Sequence, residues 1–159
     1  GGGGLNLFEF VENFMKEHPN AGGIGVNWCI FGSNGHEKKP AGGVLENYTM
    51  RSEKNFMPNF YIKTICDPSK VLYWADPHHC VYRKGFYNLD ENGHVIIHSL
   101  TSEVNFEKIR VNHYFTKSRE EFIAKKNRGI ACMPDIRPMS DFDLHDQNII
   151  HDTEILELA

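Results

Sequence analysis

The stretch Val26-Asn27-Trp28-Cys29-Ile30-Phe31-Gly32-Ser33-Asn34-Gly35-His36 decides how this chain is read. Ile24, Val26, Trp28 and Ile30 alternate with Gly25, Asn27, Cys29 and Phe31. Alternation at a period of two predicts a strand over residues 23–31 with two different faces. The strand runs into Gly32-Ser33-Asn34-Gly35-His36, small polar groups whose backbone needs freedom. A buried strand that delivers a glycine-rich polar loop is a common way to build a binding site. A tight turn between two strands would use the same residues.

Upstream, Leu7, Phe8, Phe10, Val11, Phe14 and Met15 recur at helical spacing, which predicts an amphipathic helix over 6–18. His18-Pro19-Asn20 stops it, because proline disfavours helix at the residue before it. Downstream, Glu37 to Gly43 is polar and turn-rich, Val44 to Tyr48 reads as a short strand, and 51–59 as an exposed connection. Strands are predicted at Phe60–Cys66, Val71–Trp74, Cys80–Arg83, Val95–Ile97 and Ile109–Tyr114. Asp90-Glu91-Asn92-Gly93 has the character of a hairpin tip. Ser118 and Glu121 match a capping box for a helix ending at Arg128-Gly129. Ser140 is placed to cap a short helix over 141–147, and 153–158 reads as a last helical turn. The expected class is α/β (or α+β), a mixed sheet with flanking helices. The intervening helices are too few for a doubly wound parallel sheet.

A length of 159 residues, 40% of them hydrophobic, suffices for one domain with a real core. That domain, whole or partial, is taken as 5–159, with Gly1 to Gly4 as a tag or linker. A net charge of −4 supplies no basic field for nucleic acid or anionic membrane. No apolar run approaches the roughly 18 residues of a membrane span, and no leader is recognisable at the start. The four cysteines, Cys29, Cys66, Cys80 and Cys132, include no Cys-x-x-Cys pair and read as reduced thiols. The expected location is cytoplasmic, at most peripheral to a membrane.

Nine histidines are many for this length, and His36, His78, His79 and His113 fall in loops or at strand ends, where chemistry concentrates. Neutral imidazole ligates manganese or zinc well. Glu46 is a candidate general base on its short strand, although an outward-facing glutamate fits the same pattern. Lys63 and Arg83 are strand-borne cations suited to phosphate or to an acid partner. Asp141-Phe142-Asp143 reads as a cap and first-turn acids that suit a helix dipole.

Three blocks taken together carry a resemblance. They are the 26–36 stretch; Lys63-Thr64-Ile65-Cys66-Asp67-Pro68 with Asp76-Pro77-His78-His79; and Ile109 to Ser118 followed by Glu120-Glu121-Phe122 and Lys126-Asn127-Arg128-Gly129. In order and spacing these resemble the glycosyltransferase family 92 type and its bacterial family 2-like relatives, over about residues 6–130. The resemblance implies the C-terminal portion of a GT-A-like domain. It implies a nucleotide-sugar donor, UDP-sugar foremost, a carbohydrate acceptor, and a divalent cation, Mn2+ or Mg2+. The family's Asp-x-Asp motif and nucleotide-binding half would precede the helix at 6–18. By the same likeness Asn27, Trp28, Phe31, Gly32, Ser33, Gly35, Lys63 and His79 would contact substrate. His113 would ligate the cation, with His79 as the rival. Glu46 or His36 would take the proton of the acceptor hydroxyl, which attacks the anomeric carbon with inversion. Two other classes fit the residues less fully: a carbohydrate-binding or assembly module offering Trp28, Tyr73, Trp74 and Tyr114, and a histidine-based metal hydrolase.

Overall fold

The computed structural model describes residues 6–128 and 138–157. Asn6 caps helix α1, Leu7–Glu17, by accepting the Glu9 N–H at 2.9 Å, and the helix closes at His18, before Pro19. Only part of the predicted apolar stripe is covered. Phe14 is buried and Phe10, Val11 and Met15 pack beside it, whereas Leu7 and Phe8 face solvent. These two lie in the first turn of the helix.

Strand β1, Ala21–Ile30, begins two residues before the sequence pattern shows it and is buried along nearly its whole length. Gly22 and Gly25 explain the unusual cover. A Cβ on Gly22 would lie 2.3 Å from the Tyr82 ring, and one on Gly25 would lie 2.5 Å from Ile96. The missing side chains let neighbours close over the strand.

The remaining elements follow in chain order. They are helix α2, Val44–Asn47; β2, Met50–Arg51; β3, Ile62–Cys66; β4, Val71–Trp74; β5, Cys80–Tyr82; β6, Tyr87–Leu89; β7, Val95–Ile96; and β8, Val111–His113. Helices α3, Arg119–Arg128, and α4, Met139–His145, precede β9, Ile150–His151, and α5, Glu154–Glu157. The main sheet runs β3-β1-β6-β7, with β8 also pairing β1. It is mixed: β1 is antiparallel to β3 (Ile24 opposite Ile65) and parallel to β6 (Ile24 opposite Leu89). The protein is thus of mixed α/β class, with a mixed sheet and flanking helices. Gly93, at φ +84°, turns the β6–β7 hairpin as its Asn-Gly sequence predicts.

The chain divides into two compact units, each made of two segments: residues 6–28 with 57–111, and residues 29–56 with 112–157. The first unit has its core at Phe14, Ala21, Ile24, Val26 and Leu89. The second is centred on aromatic side chains. Phe31 packs on Tyr114 with ring centroids 5.0 Å apart, and Phe122 on Phe142 at 5.5 Å.

Several local expectations are corrected. Residues 44–47 are helical, not extended, with Tyr48 closing the helix, because the Tyr48 N–H reaches the Val44 carbonyl at 3.0 Å and the Asn47 amide binds the Ala41 and Gly43 carbonyls. The 51–59 segment is no exposed connection: Ser52 and Asn59 are fully buried, and Arg51 pairs with Ile150 across β2 and β9. Strand β6 was not legible as a strand at three residues. Ser140 lies inside α4, whose cap position is Pro138. The capping box stands, with the Glu121 N–H on Ser118 Oγ at 3.1 Å. Gly129, Cys132 and Leu158 fall outside the described residues.

Candidate functional site

The loop after β1 is held in place atom by atom. Gly32 N–H donates to the Met50 carbonyl at 3.0 Å, Ser33 N–H to Asp146 Oδ1 at 2.8 Å, and Asn34 N–H to Asn148 Oδ1 at 2.8 Å. The Asn34 side chain donates to Thr49 Oγ1 and accepts from the Met50 N–H, both at 2.9 Å. Asn34 tolerates a φ of +53° and Gly35 one of +76°, so the chain reverses here. Gly35 N–H then returns to Ser33 Oγ at 3.1 Å. The loop leaves along the start of α3, where the Arg119 and Glu120 N–H groups donate to the His36 and Glu37 carbonyls at 3.0 and 2.9 Å. Two first-turn donors that a helix cannot satisfy by itself are thereby paired.

Beneath His36 lies a polar knot. Its imidazole meets the Tyr48 ring edge-on, with centroids 5.8 Å apart. The Tyr48 hydroxyl donates to Glu121 and accepts the Ser118 N–H at 2.9 Å, and Ser118 Oγ donates to Glu121 at 2.8 Å. Burial, reinforced by the Glu121 carboxylate, pushes the Tyr48 hydroxyl up to about 12, so it stays protonated and donating. Burial alone would raise Glu121, but the bonds from Tyr48 and Ser118 overcome it and hold this carboxyl below the usual glutamate range.

On the same α3 side opens a groove of about 710 Å³, lined among others by Lys39, Thr116, Lys117, Lys125 and Arg128, with Glu120 and Glu121. Both acids are engaged. Glu120 Oε2 accepts the Lys39 N–H at 2.7 Å, and Glu121 is bound as described. Four cationic side chains therefore face two committed carboxylates on a chain whose net charge is −4. Lys117 has a φ of +51°, a conformation of the kind that costs on the order of 1–3 kcal/mol and clusters at functional sites. Next to it Thr116 is buried, and its hydroxyl oxygen has no hydrogen-bond partner among the described residues.

The residues nominated from sequence separate between the two units. Asn27, Trp28, Lys63 and His79 belong to the first; Phe31, Gly32, Ser33, Gly35, His36, Glu46 and His113 belong to the second. Asn27 is a buried clasp. It donates to Thr101 Oγ1 at 2.8 Å and the Asn59 carbonyl at 3.1 Å, and accepts the Asn105 N–H at 3.0 Å. Trp28 packs between Tyr61 and His78, each at 5.3 Å. Lys63 is exposed on β3, and His79 Nδ1 lies 2.8 Å from Asp76 Oδ2. Phe31 is a core residue, at 1% exposure. Gly32 packs against the Gln147 backbone and the Asn148 side chain, where a Cβ would lie 2.5 Å from the Gln147 carbonyl. Glu46 is exposed on α2, a helix and not the strand expected.

His113, on β8, packs on Phe115 at 5.6 Å, and Phe115 stacks on His145 at 3.8 Å. Among the described residues no group of three or more His, Cys, Asp or Glu could hold a metal ion. Sequence reasoning missed Tyr48, Asp146, Asn148, Thr116 and Lys117 as site residues. Only the Thr-Lys-Ser run beside the capping box offered a signal for the last two.

Comparison with protein-family models, with curated proteins and with solved structures returned no match. No helix among the described residues is long and apolar enough to cross a membrane.

Proposed function

We propose that this chain is the C-terminal portion of a glycosyltransferase and that its α3 groove takes the diphosphate of a nucleotide-sugar donor. The observation that carries the reading is the groove itself: Lys39, Lys117, Lys125 and Arg128 around a buried Thr116 hydroxyl that has no partner among the described residues, against two carboxylates already engaged. Phosphate oxygens accept from ammonium, guanidinium and hydroxyl donors alike. In the reaction a carbohydrate hydroxyl attacks the anomeric carbon, the bond to the diphosphate breaks, and negative charge accumulates on the leaving group. Cations fixed at that place stabilise the transition state more than the ground state. His36 takes the hydroxyl proton in this reading, because its loop is pinned next to α3 while Glu46 stands exposed on a short helix. His113 would supply one ligand to the cation implied by the sequence resemblance, and no step here runs through it.

Calorimetric titration of UDP into the chain, with and without manganese, tests the proposal. Lys117→Ala is expected to weaken UDP binding about tenfold, the scale of one charge-assisted hydrogen bond. Manganese dependence lost in His113→Ala would place the cation at that imidazole. Failure of wild-type protein to bind UDP or pyrophosphate overturns the assignment of the groove. A carbohydrate-binding module is the second reading, favoured by Tyr73 and Trp74, which are exposed by 59% and 50% on β4. It predicts oligosaccharide binding that is indifferent to UDP.

A further inference from the structure

His79 lines a second cavity, all of whose lining residues belong to the first unit. The cavity holds about 560 Å³ between the β4–β5 and β6–β7 hairpins, within the range of roughly 300–1,000 Å³ usual for small-molecule sites. Val81, Phe86, Tyr87, Ile96 and Ile97 give it apolar walls. Two of its polar side chains are committed to each other and to the sheet. The Tyr82 hydroxyl donates to Asn88 Oδ1 at 3.1 Å, and the Asn88 amide donates to Thr64 Oγ1 at 3.2 Å. The remaining side-chain nitrogens on the lining are those of His79 and His98, whose rings stand edge to face with centroids 5.9 Å apart.

The turn that carries His79 is fixed by Asp76. Asp76 Oδ1 accepts the His78 and His79 N–H groups at 2.6 and 3.0 Å, and the Thr64 hydroxyl donates to the His78 carbonyl at 2.6 Å. Burial alone would raise Asp76, but the two N–H bonds and the His79 imidazole outweigh it and hold this carboxyl below the usual aspartate range. His79 Nδ1 is buried 2.8 Å from the other oxygen, Oδ2, off the line of a straight hydrogen bond. A bare lone pair would be repelled by a carboxylate at that distance. Nδ1 therefore carries the proton, and Nε2 is the acceptor of the neutral ring. We infer that this cavity binds a small aromatic molecule bearing a hydroxyl, its ring against Phe86 and Tyr87 and its O–H donated to His79 Nε2. Aromatic walls favour an aromatic body by stacked and edge-to-face contact. A single donor on the ligand matches the acceptor that the wall offers, and a ligand without one leaves that acceptor unpaired on binding. Nothing in this inference rests on the α3 groove, which belongs to the other unit.

The test is a fluorescence titration of the full chain into 2-naphthol, with 2-methoxynaphthalene as competitor. The ether keeps the rings and has no O–H to donate. The expected result is saturable binding of 2-naphthol and about tenfold weaker binding of the ether, the scale of one hydrogen bond. His79→Phe is expected to bring the two affinities together, since the wall stays aromatic and the acceptor is gone. Ile97→Asp, at a side chain 77% exposed, is expected to weaken both ligands alike. Absence of saturable 2-naphthol binding, equal affinities in the wild type, a preference that survives His79→Phe, or displacement of 2-naphthol by UDP overturns the inference. The wild-type comparison of the two ligands decides the question even if His79→Phe fails to fold.

Discussion

At the scale of single residues, position in the sequence says less than hydrogen-bond capacity. Asn27 sits in the stretch that suggested substrate contact, yet its amide joins residues 59, 101 and 105. Buried polar groups must be paired, and an asparagine can serve several backbone groups at once. Replacing it strands the Asn105 N–H and removes a donor from the Asn59 carbonyl. Asn27→Ala is expected to cost on the order of 2–3 kcal/mol, read by urea denaturation. A loss below about 0.5 kcal/mol would mean that water replaces the amide and that the clasp is dispensable. Nothing local to residue 27 could have announced this role, because its partners lie more than thirty residues away.

At the scale of elements, the start of α3 is where helix, loop and groove meet. Ser118 and Glu121 were legible as a capping box because that motif is local and its geometry is fixed by four residues. The structure adds Tyr48, which brings a third donor to the same carboxylate. The folded state holds Glu121 below its ordinary value, so its contribution to stability is fully present above the ordinary glutamate range. That contribution is lost as pH falls through the depressed folded value. Wild-type protein is therefore expected to lose stability below about pH 4.5 more steeply than Glu121→Gln. Subtracting the two denaturation profiles removes the share of other carboxyls, including Glu91, which burial shifts the opposite way. Parallel profiles would show that Glu121 is not held ionised by its neighbours. Helix α2 was the element most open to misreading. Four residues cannot display a period, and the Asn47 side chain, bonding back to 41 and 43, decided for helix.

At the scale of the whole molecule, charge is the relevant quantity. A chain of net charge −4 repels anions on average, so a polyanion can bind only where cations are gathered locally. Pyrophosphate affinity at the α3 groove is accordingly expected to fall about tenfold when ionic strength rises from low salt to about 1 M, where the screening length shrinks to about 3 Å. Calorimetry across that range would refute the groove as an electrostatic site if affinity stayed constant. The sequence by itself determined α1 with its stop at His18, the central strand, the hairpin at Gly93, the helical cap at Ser118 and the mixed class. Each of these is written in the period or chemistry of neighbouring residues. Tertiary structure alone decided that each compact unit takes two separate stretches of chain. It also decided that Gly22 makes room for Tyr82 and that Thr116 and Lys117 line a groove with Lys39. Those relations join residues far apart in the chain, and burial, packing and the pairing of buried polar groups fix them only once the fold has formed.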